Sequence, residues 1–319
     1  MTRTVRPTRR RLTLAAAAAT LAAGSLAVSS AAPAQAAEIR EGNLATAVYK
    51  YTFAPNSTAG ANDWNCKPSA ENPNPVVMLP GTFFNHGANF IKIGPRLKNN
   101  GFCTFALNYG QTAASFGRVG GLGSIKDSAQ QLDEFVTKVL KSTGAKKVDI
   151  LGHSQGGNVP IWWIKKMGGA SKTGNYVGWA PSSRGTDLNG LITLANGLGA
   201  MGFITGVSNV GQFPGVTDQA NTSAYTKELF PDGSSDVPSG PKYTVIATEQ
   251  DKVVTPYTRQ TLSGSDVNNI VLQDKCPKDL AGHVGLFNDE PTMQMTLNAF
   301  KGGPKNFQPE CRSYGVPLL

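Results

Sequence analysis

Past its first eleven residues the chain has no block of lysine or arginine, and nowhere does it interleave basic with aromatic residues. That absence excludes a nucleic-acid-binding stripe and leaves the lysines as an ordinary solvated surface. No cysteine sits in a CxxC or beside a histidine pair, so no metal site is expected. There is no internal repeat and, beyond residue 36, no low-complexity tract, which excludes a solenoid. Histidine is scarce, with three among 319 residues, so any chemistry that needs an imidazole must draw on His86, His153 or His283.

One long apolar run exists, and it is N-terminal. Arg3, Arg6, Arg9, Arg10 and Arg11 precede an alanine-rich stretch from Leu12 to Val28, and Ala34-Gln35-Ala36 follows as a small-x-small cleavage site. The layout is that of a signal peptide over residues 1–36, and the run is short and weakly apolar for a membrane span. Thr8-Arg9-Arg10-Arg11-Leu12 resembles a twin-arginine signal; the general secretory route fits nearly as well. Five positive charges lie in that segment, so of the formal +9 only +4 belongs to residues 37–319. Those 283 residues suit one large domain with a full core, or two small ones.

An exported chain with an even cysteine count is expected to form disulfides. Cys66, Cys103, Cys276 and Cys311 allow three pairings. The sequential one, Cys66–Cys103 with Cys276–Cys311, is preferred.

Residues 37–75 are polar and irregular and read as a loop entering a first strand at Val76-Val77-Met78-Leu79. Helices are then expected at 89–99, from Ser124 to Gly144, from Gly156 to Met167 and near Thr292 to Phe300. Strands are expected at Cys103 to Leu107, Val148 to Leu151, Tyr176 to Trp179, Tyr243 to Thr248 and Asn269 to Leu272. The alternation predicts an α/β fold, a mostly parallel sheet flanked by helices on both faces, with its chemistry just beyond the carboxyl ends of the strands. Residues 185–225 interrupt the pattern with an apolar, glycine-rich excursion that includes Leu191, Leu194, Phe203 and Ile204. It reads equally as a lid or acyl-binding wall and as a helix pair packed on the core.

Gly152-His153-Ser154-Gln155-Gly156 falls between a predicted strand and a predicted helix. A serine there takes a sharp turn that the flanking glycines permit, so its Oγ projects over the sheet as a nucleophile. The following helix N-terminus supplies a positive field for an oxyanion. Serine needs a base. His153 adjoins it and points away, and the chain order serine, acid, histidine selects His283 over His86. Asp251, after the strand ending near Thr248, is chosen over Glu249 as the acid that orients the imidazole. Asp274 and Asp279 read as surface loop acids. The oxyanion donors are expected to be the N–H of Gln155 and a donor from Pro80-Gly81-Thr82-Phe83-Phe84, of which Thr82 has both an N–H and a hydroxyl. Phe83 and Phe84 are candidates for the substrate mouth, with core packing the equal alternative.

Val76 to Thr82 together with Gly152-His153-Ser154-Gln155-Gly156-Gly157 resembles the small extracellular lipases, both the bacterial class 2 lipases and the fungal lipase B type. Thr248 to Pro256 is similar to that group's acid segment, and Cys276 shortly before His283 to its disulfide and histidine segment. The resemblance covers most of residues 62–311. It implies an α/β-hydrolase fold, an oxyanion hole from Thr82 and Gln155, and a monomeric, metal-free triacylglycerol lipase or broad carboxylesterase. No cofactor is implied, and contact with a lipid interface would be transient. Two features depart from the pattern. Pro160 falls inside the helix after the serine, and residues 185–225 do not match, so lid behaviour and acyl preference do not carry over. Polyester, amide or thioester hydrolysis would use the same residues. The intact serine, acid and histidine set argues against a catalytically dead binding protein.

Overall fold

The structure, a computed structural model, describes residues 1–2, 37–200 and 212–319. The expected signal segment, and Phe203 and Ile204 of the excursion, lie outside the described residues. Residues 38–319 form one unit.

It opens on α1 (Leu44–Phe53), where a loop was expected. Asn43 caps this helix by accepting from the Thr46 N–H, and only Ala47 and Tyr51 are buried. Strand β1 (Val76–Leu79) follows, and its four residues are all buried. Val76 and Met78 join one hydrophobic cluster, Val77 and Leu79 the other. A strand whose alternate residues enter two cores lies in a sheet covered on both faces, which is why it reads as an unbroken apolar run.

The helix expected over 89–99 is two, α2 (His86–Asn89) and α3 (Ile93–Asn99). Then come β2 (Thr104–Ala106), α4 (Ile125–Thr143), β3 (Val148–His153), α5 (Gln155–Lys166) and β4 (Thr173–Trp179). Ser124 caps α4 and Gly144 ends it at φ +78°. Its Ile125, Ala129, Leu132, Val136 and Val139 are buried at helical spacing. The helix α5 continues through Pro160. The excursion holds α6 (Asn189–Ala200), α7 (Pro214–Thr217) and α8 (Ala224–Leu229). The chain closes with β5 (Lys242–Ala247), β6 (Val267–Val271), α9 (Leu272–Lys275) and α10 (Glu290–Phe300).

The six strands are ordered β2-β1-β3-β4-β5-β6 and every neighbouring pair is parallel. Buried residues of α4, α5 and α8 belong to one cluster, those of α1, α3, α6 and α10 to the other. The order reverses between β1 and β3, so their carboxyl ends open a crevice. Pro80-Gly81-Thr82 leaves one end of it and Ser154 the other. Both disulfides form in the sequential pairing, Cys66–Cys103 and Cys276–Cys311.

Candidate active site

Ser154 sits at φ +56° and ψ −123°, a region that L residues rarely occupy, between β3 and the first turn of α5. The glycines around it are demanded by backbone contacts. A Cβ on Gly152 would lie 2.1 Å from the Gly156 carbonyl oxygen. One on Gly156 would lie 2.2 Å from that of Leu79. The elbow is fastened from below, since the Ser154 N–H donates to the Trp179 carbonyl at 2.8 Å.

The loop after β1 is held at each residue. The Gly81 N–H donates to Asn89 Oδ1 at 3.0 Å, and the Phe83 N–H to the Gly120 carbonyl at 3.1 Å. Tyr51 donates its hydroxyl to the Phe83 carbonyl and Tyr109 to that of Pro80, both at 2.8 Å. Among the described residues the Thr82 N–H has no acceptor. Thr82 Oγ1 accepts from Gln219 Nε2 at 3.0 Å. That nitrogen also donates to the Gly215 carbonyl, which can only accept, so the amide orientation is fixed. Gln155 heads α5, where no helical acceptor exists for its N–H. Its side chain turns away to donate to the Gly121 and Gly215 carbonyls.

After β5 the chain turns, and Asp251 is buried while Glu249 is exposed. Asp251 Oδ1 accepts from the N–H groups of Val253 at 2.7 Å and Val254 at 2.8 Å. Its Oδ2 accepts from Gln260 Nε2 at 2.8 Å and from His283 Nδ1 at 2.7 Å. The loop carrying His283 is anchored by Thr248, whose hydroxyl donates to the Ala281 carbonyl at 2.7 Å. The terminal segment pairs with it from the other side through Val316, Leu318 and Leu319. Among the described residues neither His283 Nε2 nor Ser154 Oγ makes a hydrogen bond, so the two side chains are not joined to each other. The imidazole rings of His153 and His283 are 5.1 Å apart, so the base loop reaches the serine's neighbour. His86 is elsewhere, hydrogen-bonded through Nδ1 to the Thr58 hydroxyl at 2.8 Å.

Phe83 and Phe84 are 1% and 8% exposed, and Leu191 and Leu194 are 1% and 6% exposed; all four belong to one core cluster. The helix α6 packs on the acid loop so closely that a Cβ on Gly190 would meet the Lys252 carbonyl oxygen at 1.9 Å. Asp274 is exposed as expected, but Asp279 is not a surface acid. It is fully buried, and burial together with the neighbouring Asp289 carboxylate raises its pKa to about 7. A carboxyl can enter such a place because it stays protonated. Asn89, Gln219 and Gln260 are contributors that no motif in the sequence signalled. Among the described residues no group of three or more His, Cys, Asp or Glu converges as metal ligands.

Known proteins of this architecture include Aspergillus fumigatus lipase B, 18% identical with a TM-score of 0.58 over 79% of this chain. The chain spans 56% of that protein's length. One structure described with the metagenome-derived lipolytic enzymes LipS and LipT gives 10% identity and a TM-score of 0.51, over 75% of this chain and 98% of that chain. The 2-hydroxy-6-oxo-6-phenylhexa-2,4-dienoate hydrolase of a Rhodococcus species gives 16% and 0.51, over 72% and 91%. These likenesses show the α/β-hydrolase fold. The sequence itself matches the family model described as lipase (class 2) across residues 73–296, which takes in the serine, the acid and the histidine. The chain belongs to the class 2 lipase family.

Proposed function

We propose that this protein is an exported serine hydrolase that cleaves carboxylic esters, a triacylglycerol lipase or broad carboxylesterase, through an acyl-enzyme. The observation that carries the reading is Ser154 in a strained elbow at a helix N-terminus, with the His283 ring 5.1 Å from that of the adjoining His153 and its Nδ1 held 2.7 Å from a buried carboxylate. Because Asp251 accepts at Nδ1, the proton of neutral His283 belongs there, and Nε2 keeps the lone pair needed to take the Ser154 proton. Ser154 Oγ then attacks the ester carbonyl. The oxyanion that forms is met by the N–H groups of Thr82 and Gln155 and by the Thr82 hydroxyl, whose own hydrogen is free because its oxygen already accepts from Gln219. His283 returns the proton to the leaving alcohol, and water repeats the sequence to release the acid. Phe83, Phe84, Leu191 and Leu194 are the apolar side chains assigned to the acyl chain, and their burial in one core cluster means that a substrate must displace part of that packing to reach them. Two disulfides support export, since such bonds persist in oxidising compartments.

The test is hydrolysis of p-nitrophenyl esters from C2 to C16 and of emulsified tributyrin and triolein, by the wild type and by Ser154→Ala. Long-chain and emulsion activity that disappears in the variant establishes a lipase. Activity confined to short soluble esters makes it a carboxylesterase. Activity that survives in Ser154→Ala, or that is absent on every ester, overturns the reading.

A further inference from the structure

His153 lies outside the proposed set of reacting groups, yet it is 1% exposed and sits between the two loops that frame the serine. Three buried groups form one file across the crevice. The Gly81 N–H donates to Asn89 Oδ1 at 3.0 Å. Asn89 Nδ2 lies 3.0 Å from His153 Nδ1 and Asn89 Oδ1 lies 3.1 Å from it. His153 Nε2 lies 3.0 Å from the backbone carbonyl oxygen of His283. The direction of the hydrogen bond at each end is fixed. A carbonyl can only accept, so His153 carries its proton on Nε2. A backbone N–H can only donate, so Asn89 turns its oxygen to Gly81 and its NH₂ to His153. With its proton on Nε2, a neutral ring keeps its lone pair on Nδ1, which then accepts from Asn89 Nδ2. Burial among the rings of Phe84 and Trp179, each 6.3 Å away, favours that state and brings the pKa down to about 3. The titratable group facing it is His283.

We propose that Asn89 and His153 are positioning residues for ester cleavage, a neutral hydrogen-bonded strut that ties the oxyanion loop to the backbone of the base. The proposal rests on the reading of Ser154, His283 and Asp251 given above. Asp251 fixes the His283 ring from one side, but it does not fix where the residue's backbone stands relative to the serine. The bond from His153 does, because His153 is covalently joined to Ser154. The bond from Asn89 extends the same frame to Gly81, one residue before Thr82. Nucleophile, base and oxyanion donor are thereby held to one another by two side chains that touch no substrate. A displacement of about 1 Å between such groups costs about 10²-fold in rate.

The experiment combines nitrogen-15 NMR of the three histidines with kinetics of His153→Leu, His153→Gln and Asn89→Asp. In the wild type at pH 7 the His153 ring should be the neutral tautomer protonated at Nε2. Asn89→Asp keeps the acceptor for Gly81 but removes the donor to Nδ1, so His153 should become doubly protonated. His153→Leu should lower kcat about 10²-fold with little change in KM. His153→Gln places an amide N–H the same number of bonds from Cβ as Nε2 and should recover most of that loss. A simple packing role predicts no such kcat and KM split and no recovery by Gln. If His153→Leu does not fold, the Gln variant and the tautomer decide. A wild-type His153 protonated at Nδ1 overturns the proposal, and so does a folded His153→Leu with kcat within threefold of wild type. The NMR result does not depend on turnover, so it separates failure of the strut from failure of the esterase reading, which Ser154→Ala decides alone.

Discussion

Asp251→Asn should remove nearly all turnover while leaving the fold in place, and the reason can be followed atom by atom. Oδ1 of Asp251 receives two backbone N–H groups, from Val253 and Val254. Those groups can only donate, so an asparagine must present its oxygen to them and its NH₂ to the other side. That side holds Gln260 and His283. Gln260 can turn its amide over and accept, because its own Oε1 has no partner among the described residues. His283 has no such escape. Its Nδ1 must accept, its proton moves to Nε2, and the nitrogen left for Ser154 can no longer take a proton. A wrong tautomer of this kind costs about 10⁴-fold in kcat, or about 5 kcal/mol of transition-state stabilisation. Four hydrogen bonds survive in rearranged form, so the melting temperature should fall by only about 2–4 °C, the equivalent of about 1 kcal/mol at this size. The assay is kcat and KM on p-nitrophenyl butyrate, with thermal melts alongside. A variant that keeps more than a tenth of wild-type kcat refutes the reasoning, as does an equal loss in Glu249→Gln, where the side chain is exposed.

Asp279→Asn should stabilise the protein increasingly as pH rises from 5 to 8 in thermal melts. Folded Asp279 keeps its proton to about 7, because it is buried and faces Asp289, whereas the unfolded chain releases it near the ordinary aspartate value of about 4. Between those values the folded state binds more protons, so this group makes wild-type stability decline with rising pH; asparagine removes that contribution, and an advantage that shrinks toward pH 8 would contradict the assignment. Replacing Cys66 and Cys103 together by serine reopens a loop of 37 residues and should cost about 3–4 kcal/mol in denaturant titrations; an unchanged midpoint would count against that. Gly156→Ala pushes a Cβ to 2.2 Å from the Leu79 carbonyl oxygen and 2.5 Å from that of Pro80. It should abolish esterase activity, and a fully active, unshifted variant would show that the elbow is looser than its contacts imply.

What could be read from the sequence, and what could not, divides along one physical line. Strands buried on both faces need an apolar centre, so Val76 to Leu79 of β1 and Ile150-Leu151 of β3 announced themselves, and the residues just beyond their carboxyl ends could be named before any geometry. The glycines of the elbow are equally legible, because backbone contacts forbid a side chain at Gly152 and Gly156. The helix α1 was missed because its pattern points the wrong way: Leu44, Val48, Tyr49 and Phe53 are exposed, and the buried face is only Ala47 and Tyr51. The break between α2 and α3 was missed because Phe90-Ile91-Lys92, which separates them, holds neither glycine nor proline and two of its residues are core. Its purpose lies in space, where the Asn89 side chain reaches His153 across 64 residues of sequence. His153 in turn reaches His283 across 130, and Gln219 reaches Thr82 across 137. Asp279 misled for a related reason, since a lone loop carboxylate belongs in water, whereas burial, joined by the facing Asp289 carboxylate, raises the pKa of this one. A reacting group must sit where the sheet ends, and the sheet is written locally. A group that holds it in place needs only the right length and one donor or acceptor, and any buried amide or carboxyl brought near by the fold can supply these. The proposed nucleophile is therefore visible as a motif, whereas the frame around it emerges only when the crevice between β1 and β3 is built.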